Sequence, residues 1–424
     1  MTRKKWYKLD NAAKIFPSVS NKGRTNVFRL SFDMIEDVDP LLLQEALQIV
    51  INRFPMLNVK LKKGVFWYYF ETNEKTPVIQ PESPFITRLI EYYKDNNGFL
   101  FRIYYFKKRI TLEVFHSLTD GFGGLEFLKS IVYSYLELKD VEIVNNLGVL
   151  SDKIECIREE DQDSFNVHYN NKLKGSRKEP KSLRFKAQEY QNNWLGLIVG
   201  TMDAGQVKSL AAKYNCTITE LIGAIVFYSA YKSRHLFANQ DRPFTMFIPV
   251  NLRRFFPSKT LRNFSLYVRT KANLDEEQSF ASFLAIIKKD MEDELDKDKL
   301  QARFAINVRS EKNFALRIVP RGIKEIVLRA TYNKVASSAN SFSLSNLGVL
   351  KLPDEMKCCI DKVVFCNGAS YTYPINMGVI TYNNKLTISF TSELIDRSLQ
   401  REFFRFLSKE GIEVIIENND LEVE

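Results

Sequence analysis

Residues 110–124, with the sequence ITLEVFHSLTDGFGG, connect a strand pattern to a helical pattern through a short polar loop. The apolar run before the loop suits a buried strand, and apolar residues recur at helical spacing after it, which predicts a helix over residues 123–136. His116 therefore lies where a strand ends and a helix is about to begin. Connections of this kind often carry catalytic residues, because the rigid elements on both sides position them.

His116 is the candidate general base, since neutral imidazole is the side chain best suited to accept a proton near pH 7. Asp120 lies four residues further on and is close enough to organise the loop, while Gly121 permits an unusual backbone conformation or the close approach of a ligand. A histidine with Asp and Gly at this spacing arises by chance in about 1% of chains with three histidines. The alternative interpretation is a loop histidine held by Asp120 without a catalytic role.

Both halves of the chain mix strands with helices, and this mixture predicts an α/β fold with mixed sheets and α+β character. Capping residues predict helices after Asp39, Asp203, Thr217, Ser279 and Asp396. The last of these covers residues 397–409, and the acidic tail 417–424 is expected to be frayed. Strands are predicted at residues 26–33, 57–61, 65–70, 99–106, 110–115, 195–202, 244–249, 341–344, 363–365, 377–381 and 386–390.

The length of 424 residues suits two domains, and we place the boundary in the polar stretch 139–186, which gives domains 1–180 and 181–424. No run of 18 apolar residues occurs and no signal peptide is recognisable, so we expect no membrane span. Five cysteines without a zinc-like spacing favour free thiols in a reducing cytoplasm and no metal.

The net charge of +10 favours anionic partners such as nucleic acid, an anionic membrane surface or a phosphorylated small molecule. Basic residues crowd into the segment 172–186, which is interpreted as a solvated linker or as an attractor for phosphate groups. No nucleic-acid-binding motif accompanies the charge, so we expect no nucleic-acid partner.

The stretch from His116 to Gly121 resembles the HxxxDG motif of the CoA-dependent acyltransferase superfamily. That superfamily includes chloramphenicol acetyltransferase, plant BAHD acyltransferases, alcohol acetyltransferases and peptide-synthetase condensation domains. Two weaker stretches agree with it in position: 249–253 together with Arg262-Asn263-Phe264, and Ser343 to Gly348, which is similar to an SNLG-type strand. The resemblance covers most of the chain.

The resemblance departs from some subfamilies. Condensation domains and wax ester synthases usually carry two adjacent histidines, whereas Phe115 precedes His116 here, and the plant-type DFGWG signature is missing. The chain is therefore most similar to bacterial alcohol acetyltransferase-like proteins.

The resemblance implies two similar chloramphenicol-acetyltransferase-like domains with a tunnel between them and His116 midway along it. His116 would deprotonate the hydroxyl or amine of a small acceptor, which attacks the thioester of acyl-CoA, a co-substrate carrying acetyl or another short acyl group. Asp120 would pair with an arginine, for which Arg253 is the candidate, although Arg253 also suits an ordinary salt bridge. Ser345 and Asn346 would present an oxyanion donor or simply form a turn.

Two alternatives remain open at this point. The acyl donor would be a group bound to a carrier protein, as in a free-standing condensation-like enzyme, or the chain would be a non-catalytic binding protein of the same fold. The intact His, Asp and Gly of the motif favour an enzyme.

Overall fold

The computed structural model describes residues 5–94, 96–173, 175, 180–238, 241–274, 277–334, 339–368 and 373–420. The strands are β1 (Trp6–Lys8), β2 (Val27–Met34), β3 (Val59–Lys63), β4 (Tyr68–Thr72), β5 (Gln80–Pro81), β6 (Phe101–Phe106), β7 (Arg109–Phe115), β8 (Arg184–Phe185), β9 (Gly196–Asp203), β10 (Phe237–Ala238), β11 (Phe244–Asn251), β12 (Ser265–Ala272), β13 (Phe342–Leu350), β14 (Ile360–Asn367), β15 (Ile375–Tyr382), β16 (Lys385–Ser392) and β17 (Ile415–Asn418).

The α-helices are α1 (Phe16–Val19), α2 (Pro40–Arg53), α3 (Gly121–Leu138), α4 (Ser164–Val167), α5 (Ala204–Lys213), α6 (Ile218–Lys232), α7 (Phe280–Glu294), α8 (Lys297–Lys312), α9 (Phe314–Ile318), α10 (Arg321–Lys334), α11 (Asp354–Lys357) and α12 (Ser398–Lys409). Short 3₁₀ turns occur at Asn96–Gly98, Arg158–Asp161, Arg234–Leu236 and Leu252–Arg254.

Four of the five predicted helix caps are confirmed by the structure. Asp39 accepts hydrogen bonds from the backbone amides of the first turn of α2, and Pro40 occupies the first helical position. Thr217 and Glu220 form a reciprocal capping box at the start of α6. Asp203 and Ser279 cap α5 and α7 by accepting a hydrogen bond from the Gln206 amide and from the Ser282 amide, respectively. Each cap satisfies amide groups that the helix itself leaves unpaired.

The first half is built on a sheet with the strand order β14-β2-β7-β6-β5. The strands β6 and β7 form the predicted hairpin, with Phe106 paired to Arg109. Helix α3 lies against β2, and α2 packs on α3. The apolar faces of these elements meet in one buried core, so β7 and α3 hold the loop between them in a fixed place.

The second half contains a larger sheet with the order β12-β11-β13-β15-β16-β9-β17. The strands β11, β13 and β15 run parallel, while the remaining pairs are antiparallel. A second apolar core lies between this sheet and the helices α5, α6, α7 and α12. The predicted mixed-sheet α/β fold is confirmed.

One strand from the second half completes the sheet of the first half. Strand β14 pairs antiparallel with β2 along its length and also contacts β15 and β16. Leu350 to Tyr382 accordingly contribute apolar residues to the first core. The predicted domain boundary near residue 180 remains a prediction. Strand β14 lies after that boundary in the sequence but belongs to the sheet of the first half.

Three predictions about elements are corrected by the structure. The tail is not frayed throughout, because residues 415–418 form β17 and pair with β9; residues 421–424 lie outside the described part. Helix α12 begins at Ser398 with Arg397 at its N-cap, and Asp396 instead accepts a hydrogen bond from the Ser398 amide. Within the basic segment 172–186, Arg184 and Phe185 form a strand paired with β10, while residues 174 and 176–179 lie outside the described part.

Among the described residues, no single helix is long and apolar enough to span a membrane. The helices α5 and α6 pass such a test only as a pair, by length and composition, and are bent by 80° relative to each other.

Candidate active site

His116 follows β7 directly and is held by both its backbone and its ring. Its amide donates a hydrogen bond of 2.8 Å to the carbonyl oxygen of Asn26. Its ring stacks on Phe16, with centroids 4.8 Å apart, and meets the edge of Phe28 at 5.4 Å. These apolar contacts fix the plane of the imidazole.

A chain of two buried polar residues reaches the imidazole from elsewhere in the sequence. His116 Nδ1 lies 2.9 Å from Asn263 Oδ1. Asn263 Nδ2 donates to Asp10 Oδ2 at 3.0 Å, and the other carboxylate oxygen accepts from the Ala13 amide at 2.7 Å. Asp10 and Asn263 are each only 1% exposed. Asn263 comes from the second half and Asp10 from the N-terminal arm (residues 5–26), so the site is assembled from three separate parts of the chain.

Burial shifts the pKa of the two titratable groups in this hydrogen-bonded series, His116 and Asp10. Desolvation lowers the pKa of His116, which keeps the imidazole neutral at pH 7 although the Asp120 charge acts in the opposite direction. Burial, followed by the charge of Asp163, raises the pKa of Asp10 to about 7, while Asn263 and Arg262 partly offset that increase.

Asp120 joins the motif loop to the second half. Its Oδ1 accepts from the Gly123 amide and caps α3, and its Oδ2 accepts from the Phe264 amide at 2.8 Å. Arg253 Nη1 lies 2.8 Å from the same Oδ2 in a buried ion pair. The structure thus places Arg253 against Asp120, and Asn263 rather than Asp120 is the hydrogen-bond partner of His116.

Arg253 also organises the loop that carries Asn263. Its guanidinium donates to the carbonyl oxygens of Thr260 and Arg262 at 3.0 and 2.6 Å. Its charged end lies over the ring of Phe122, 4.5 Å from the centroid. The ion pair, the loop and the start of α3 therefore form one unit.

Glycines at the start of α3 allow this close packing. A Cβ at Gly121 would lie 2.8 Å from the end of the Leu347 side chain, and one at Gly123 would lie 2.1 Å from the Leu261 carbonyl oxygen. Gly121 does not have a positive φ angle. Gly121 was expected either to adopt an unusual backbone conformation or to allow the close approach of another group. The structure shows the close approach, by the Leu347 side chain of the second half.

Ser345 and Asn346 lie on β13, next to the motif. Ser345 shares its strand face with Leu347, which contacts Gly121, and no partner of its hydroxyl occurs among the described residues. Asn346 is already engaged at both ends of its amide, donating to Thr219 and accepting from Gly348. Ser345 is therefore the better placed of the two for binding a ligand.

A cavity of about 490 Å³ lies between the halves, with walls that include Thr25, Arg102, Trp194 and Glu393. The Thr25 hydroxyl and Glu393 Oε2 are buried without a hydrogen-bond partner in the described residues. Burial, with a smaller contribution from Glu189, raises the pKa of Glu393 to about 8. Buried polar atoms are nearly always paired in proteins, so these two favour a polar occupant.

Sequence reasoning missed Asp10, and it noted Asn263 only within the Arg-Asn-Phe stretch. The separation of 253 positions between them leaves no local pattern. Among the described residues, no group of His, Cys, Asp and Glu side chains suits a metal ion.

Solved structures show which fold the chain shares. TRI3 trichothecene 15-O-acetyltransferase from Fusarium sporotrichioides is 11% identical, with a TM-score of 0.59, over 96% of this chain and 94% of that one. F. graminearum TRI101, complexed with coenzyme A and deoxynivalenol, is 11% identical, with a TM-score of 0.65, over 98% and 100%. The first condensation domain of the CDA synthetase is 11% identical, with a TM-score of 0.56, over 96% of both chains. The fold is thus that of the two-domain, chloramphenicol-acetyltransferase-like acyltransferases and condensation domains, as the resemblance implied.

The family follows from the sequence itself. The profile of the alcohol acetyltransferase family matches residues 198–410, which is half of the chain. The chain belongs to the alcohol acetyltransferase family. A comparison with curated proteins finds no match.

Proposed function

We propose that the protein transfers a short acyl group, such as acetyl, from CoA to the hydroxyl or amine of a small acceptor, with His116 as the general base. The observation that carries this proposal is the geometry of the imidazole. Nδ1 is engaged by Asn263, while Nε2 has no partner among the described residues. A partly buried, neutral imidazole with one free nitrogen is what a general base requires.

Asp10 and Asn263 are proposed as the residues that determine which nitrogen of His116 is free. An ionised carboxylate only accepts hydrogen bonds, so Asn263 turns its amide nitrogen to Asp10 and its oxygen to His116. Nδ1 must then carry the proton. The lone pair is left on Nε2, where it faces neither Asn263 nor Asp120.

The proposed reaction needs no covalent acyl-enzyme. Nε2 takes the proton of the acceptor group as its oxygen or nitrogen bonds to the thioester carbonyl carbon. The tetrahedral intermediate collapses, the carbon–sulfur bond breaks, and the thiolate of CoA receives the proton from the imidazolium. A donor aimed at the developing oxyanion accelerates this step, and the hydroxyl of Ser345, which has no partner in the described parts of the chain, is the candidate.

Three observations support the identity of the substrates. The family profile is that of alcohol acetyltransferases, which favours an alcohol as acceptor. A structure of similar fold was determined with coenzyme A. The cavity holding the unpaired Thr25 and Glu393 atoms is our candidate region for the acceptor, because Thr25 precedes Asn26, whose carbonyl holds the His116 backbone. The five unpaired cysteines suit a cytoplasmic location.

The test is release of free thiol from acetyl-CoA with a panel of small alcohols and amines. We expect His116→Gln to lower kcat by about 10²- to 10⁴-fold, the usual contribution of a general base. His235→Gln is the matched control, because the His235 side chain is 61% exposed and lies beside Asp396, outside the motif. Equal thiol release by the wild type and His116→Gln would show that His116 is not the base.

The same assay separates the alternative functions. Transfer from a carrier-bound acyl group but not from acyl-CoA would identify a condensation-like enzyme. Tight binding of CoA without turnover, across donors of different chain length, would identify a binding protein of the same fold.

A further inference from the structure

The cavity between the halves combines carboxylates with aromatic and aliphatic side chains in one wall. Glu189 and Glu393 supply the carboxylates, and Phe85, Trp194 and Leu195 supply apolar surface. The rings of Phe85 and Trp194 meet edge to face, with their centroids 5.5 Å apart. The cavity volume of about 490 Å³ lies in the range of pockets that bind small organic molecules.

The carboxylate of Glu393 is held in this wall without a partner. Its backbone is fixed, because the amide donates to the Pro374 carbonyl oxygen at 2.9 Å and the carbonyl oxygen accepts from the Tyr190 amide at 2.7 Å. Oε2 is buried and has no hydrogen bond to the described residues. The charged group that acts on this carboxyl is Glu189, which repels its negative charge, and no cation of the described chain offsets that repulsion. A ligand that brings a cation would therefore supply what the wall lacks.

Thr25 places a second unpaired polar atom in the same wall. The residue is only 8% exposed, and its hydroxyl has no hydrogen-bond partner in the described parts of the chain. A hydroxyl oxygen can accept a hydrogen bond from a charged donor as a carboxylate does. Thr25 and Glu393 come from different halves of the chain, so the polar part of the wall is formed only when the halves meet.

The cations that line the cavity are engaged elsewhere or exposed to solvent. Arg102 is 4% exposed, forms an ion pair with Glu113, and donates to the carbonyl oxygens of Arg88 and Leu89 at 3.1 and 2.9 Å. These bonds hold residues 85–91 against the first sheet and so fix that side of the cavity. The Arg88 side chain is exposed, as is that of Lys22.

We propose that this cavity binds a small organic ammonium ion with an apolar body, and that Glu393 is the counter-ion of the ammonium group. Thr25 offers a further hydrogen-bond acceptor, and Phe85 and Trp194 cover the apolar body. An ammonium group also interacts favourably with the faces of aromatic rings. The assignment of this ligand as the acyl acceptor rests on the proposed function, whereas its binding does not.

The experiment is calorimetric titration of the full-length protein with phenethylamine and with 2-phenylethanol, in the absence of acyl-CoA. The two probes share their aromatic body and differ in the charge of the polar end. We expect phenethylamine to bind about tenfold or more tightly than 2-phenylethanol. Glu393→Gln keeps the shape of the side chain and should remove this preference. Glu91→Gln is the matched control, because Glu91 lines the same cavity but is paired with Lys94, and it should leave binding unchanged.

Binding of phenethylamine should also release a proton from the protein. The pKa of Glu393 is raised to about 8, so its carboxyl is mostly protonated at pH 7 in the free protein and ionises when it pairs with the ammonium group. Titrations in phosphate and in imidazole buffer, which differ in ionisation enthalpy, should give close to one proton released per ligand. Affinity should rise from about pH 6 to 8, and Glu393→Gln should abolish the release.

Equal affinity of the wild type for the two probes would overturn the proposal, and so would a preference for phenethylamine that Glu393→Gln leaves intact. Loss of binding in Glu91→Gln as large as in Glu393→Gln would also overturn it, since the general charge of the wall would then be responsible. The proposed function can fail separately. Absence of thiol release leaves the ammonium site standing, and acyl transfer to neutral alcohols by a protein that shows no preference for phenethylamine removes only the ammonium site.

Discussion

Asp10 is joined to the candidate base indirectly, through the side-chain amide of Asn263. Its carboxylate is almost fully buried and accepts from both Asn263 and the Ala13 amide. Because Asn263 has one donor end and one acceptor end, whatever binds its nitrogen decides what its oxygen offers to His116. The protonation of one remote carboxyl is thereby linked to the tautomer of the imidazole.

Asp10→Ala and Asn263→Ala should therefore allow His116 to adopt both neutral tautomers. We expect kcat to fall by about 10- to 100-fold with little change in KM for the acyl donor, which is less than the full loss of about 10⁴-fold that a wrong tautomer can cause. The loss is partial because some of the molecules still carry the proton on Nδ1 when both neutral tautomers are allowed. Nitrogen-15 NMR of labelled histidine measures the tautomer directly, and the chain has only three histidines to assign.

Asp163→Asn is the matched control for this prediction. Asp163 is another largely buried carboxylate that holds the N-terminal arm, through the Asn11 amide, but it does not contact Asn263. Its replacement should leave the tautomer unchanged. If activity falls in Asp10→Ala while His116 keeps a single tautomer, Asp10 acts only on stability. The NMR result stands even if the protein transfers no acyl group.

Activity should also fall as the pH decreases through about 7, before His116 itself is protonated. The pKa of Asp10 is raised to about 7, so its carboxylate is ionised only above that pH, whereas the pKa of His116 is lowered. Below pH 7 a protonated Asp10 donates, and Asn263 is free to rotate and offer its nitrogen to His116. In Asp10→Asn the decline of the rate at acid pH should move to lower pH. If that decline stays at the same pH, a group other than Asp10 causes it. Asp163 and Arg262 are the charged groups that act on Asp10.

At the scale of single elements, the start of α3 depends on the absence of side chains. A Cβ at position 123 would collide with the backbone carbonyl of Leu261, which cannot move without shifting the loop that carries Asn263. At position 121 it would meet only the flexible end of Leu347. Gly123→Ala should therefore cost about 3 kcal/mol or more in the free energy of unfolding, and Gly121→Ala less than about 1 kcal/mol. Urea denaturation of both variants measures the difference, and equal losses would contradict the packing described here.

Elements with local signals were predictable, and those that depend on distant partners were not. Asp39 and Thr217 fix the starts of α2 and α6 within four residues of chain. Val414, Ile415 and Ile416 are β-branched but form too short a run to predict a strand, and residues 415–418 become β17 by pairing with β9. Helix α8 does carry a local signal, because its buried residues Leu300, Phe304 and Val308 recur every four positions, the spacing of one helix face.

The same division applies to the candidate site. His116, Asp120 and Gly121 form a contiguous motif, and Arg253 follows from the family resemblance; the structure brings all four together. Asp10 has no neighbouring motif, and its partner is determined only when the N-terminal arm folds across the second half. The roles of these residues in catalysis remain predictions that the variants above test.

For the molecule as a whole, the pairing of β14 with β2 joins the stability of the two halves. Unfolding of the second half would withdraw β14 from the first sheet and expose the core residues that it covers. We therefore expect one cooperative transition in urea. Tryptophan fluorescence and far-UV circular dichroism should therefore follow the same urea transition. Transitions at different urea concentrations would show that the halves unfold independently.

The position of β14 in the sequence also has a consequence for how the protein is made. Strand β2 leaves the ribosome more than three hundred residues before β14, and until then one of its edges has no partner. An unpaired strand edge in a growing chain is a site of aggregation. A nascent chain of this protein thus remains vulnerable until β14 has been synthesised, and a fragment ending near residue 180 would carry that exposed edge permanently. Chaperones that bind extended segments would be most needed during that interval.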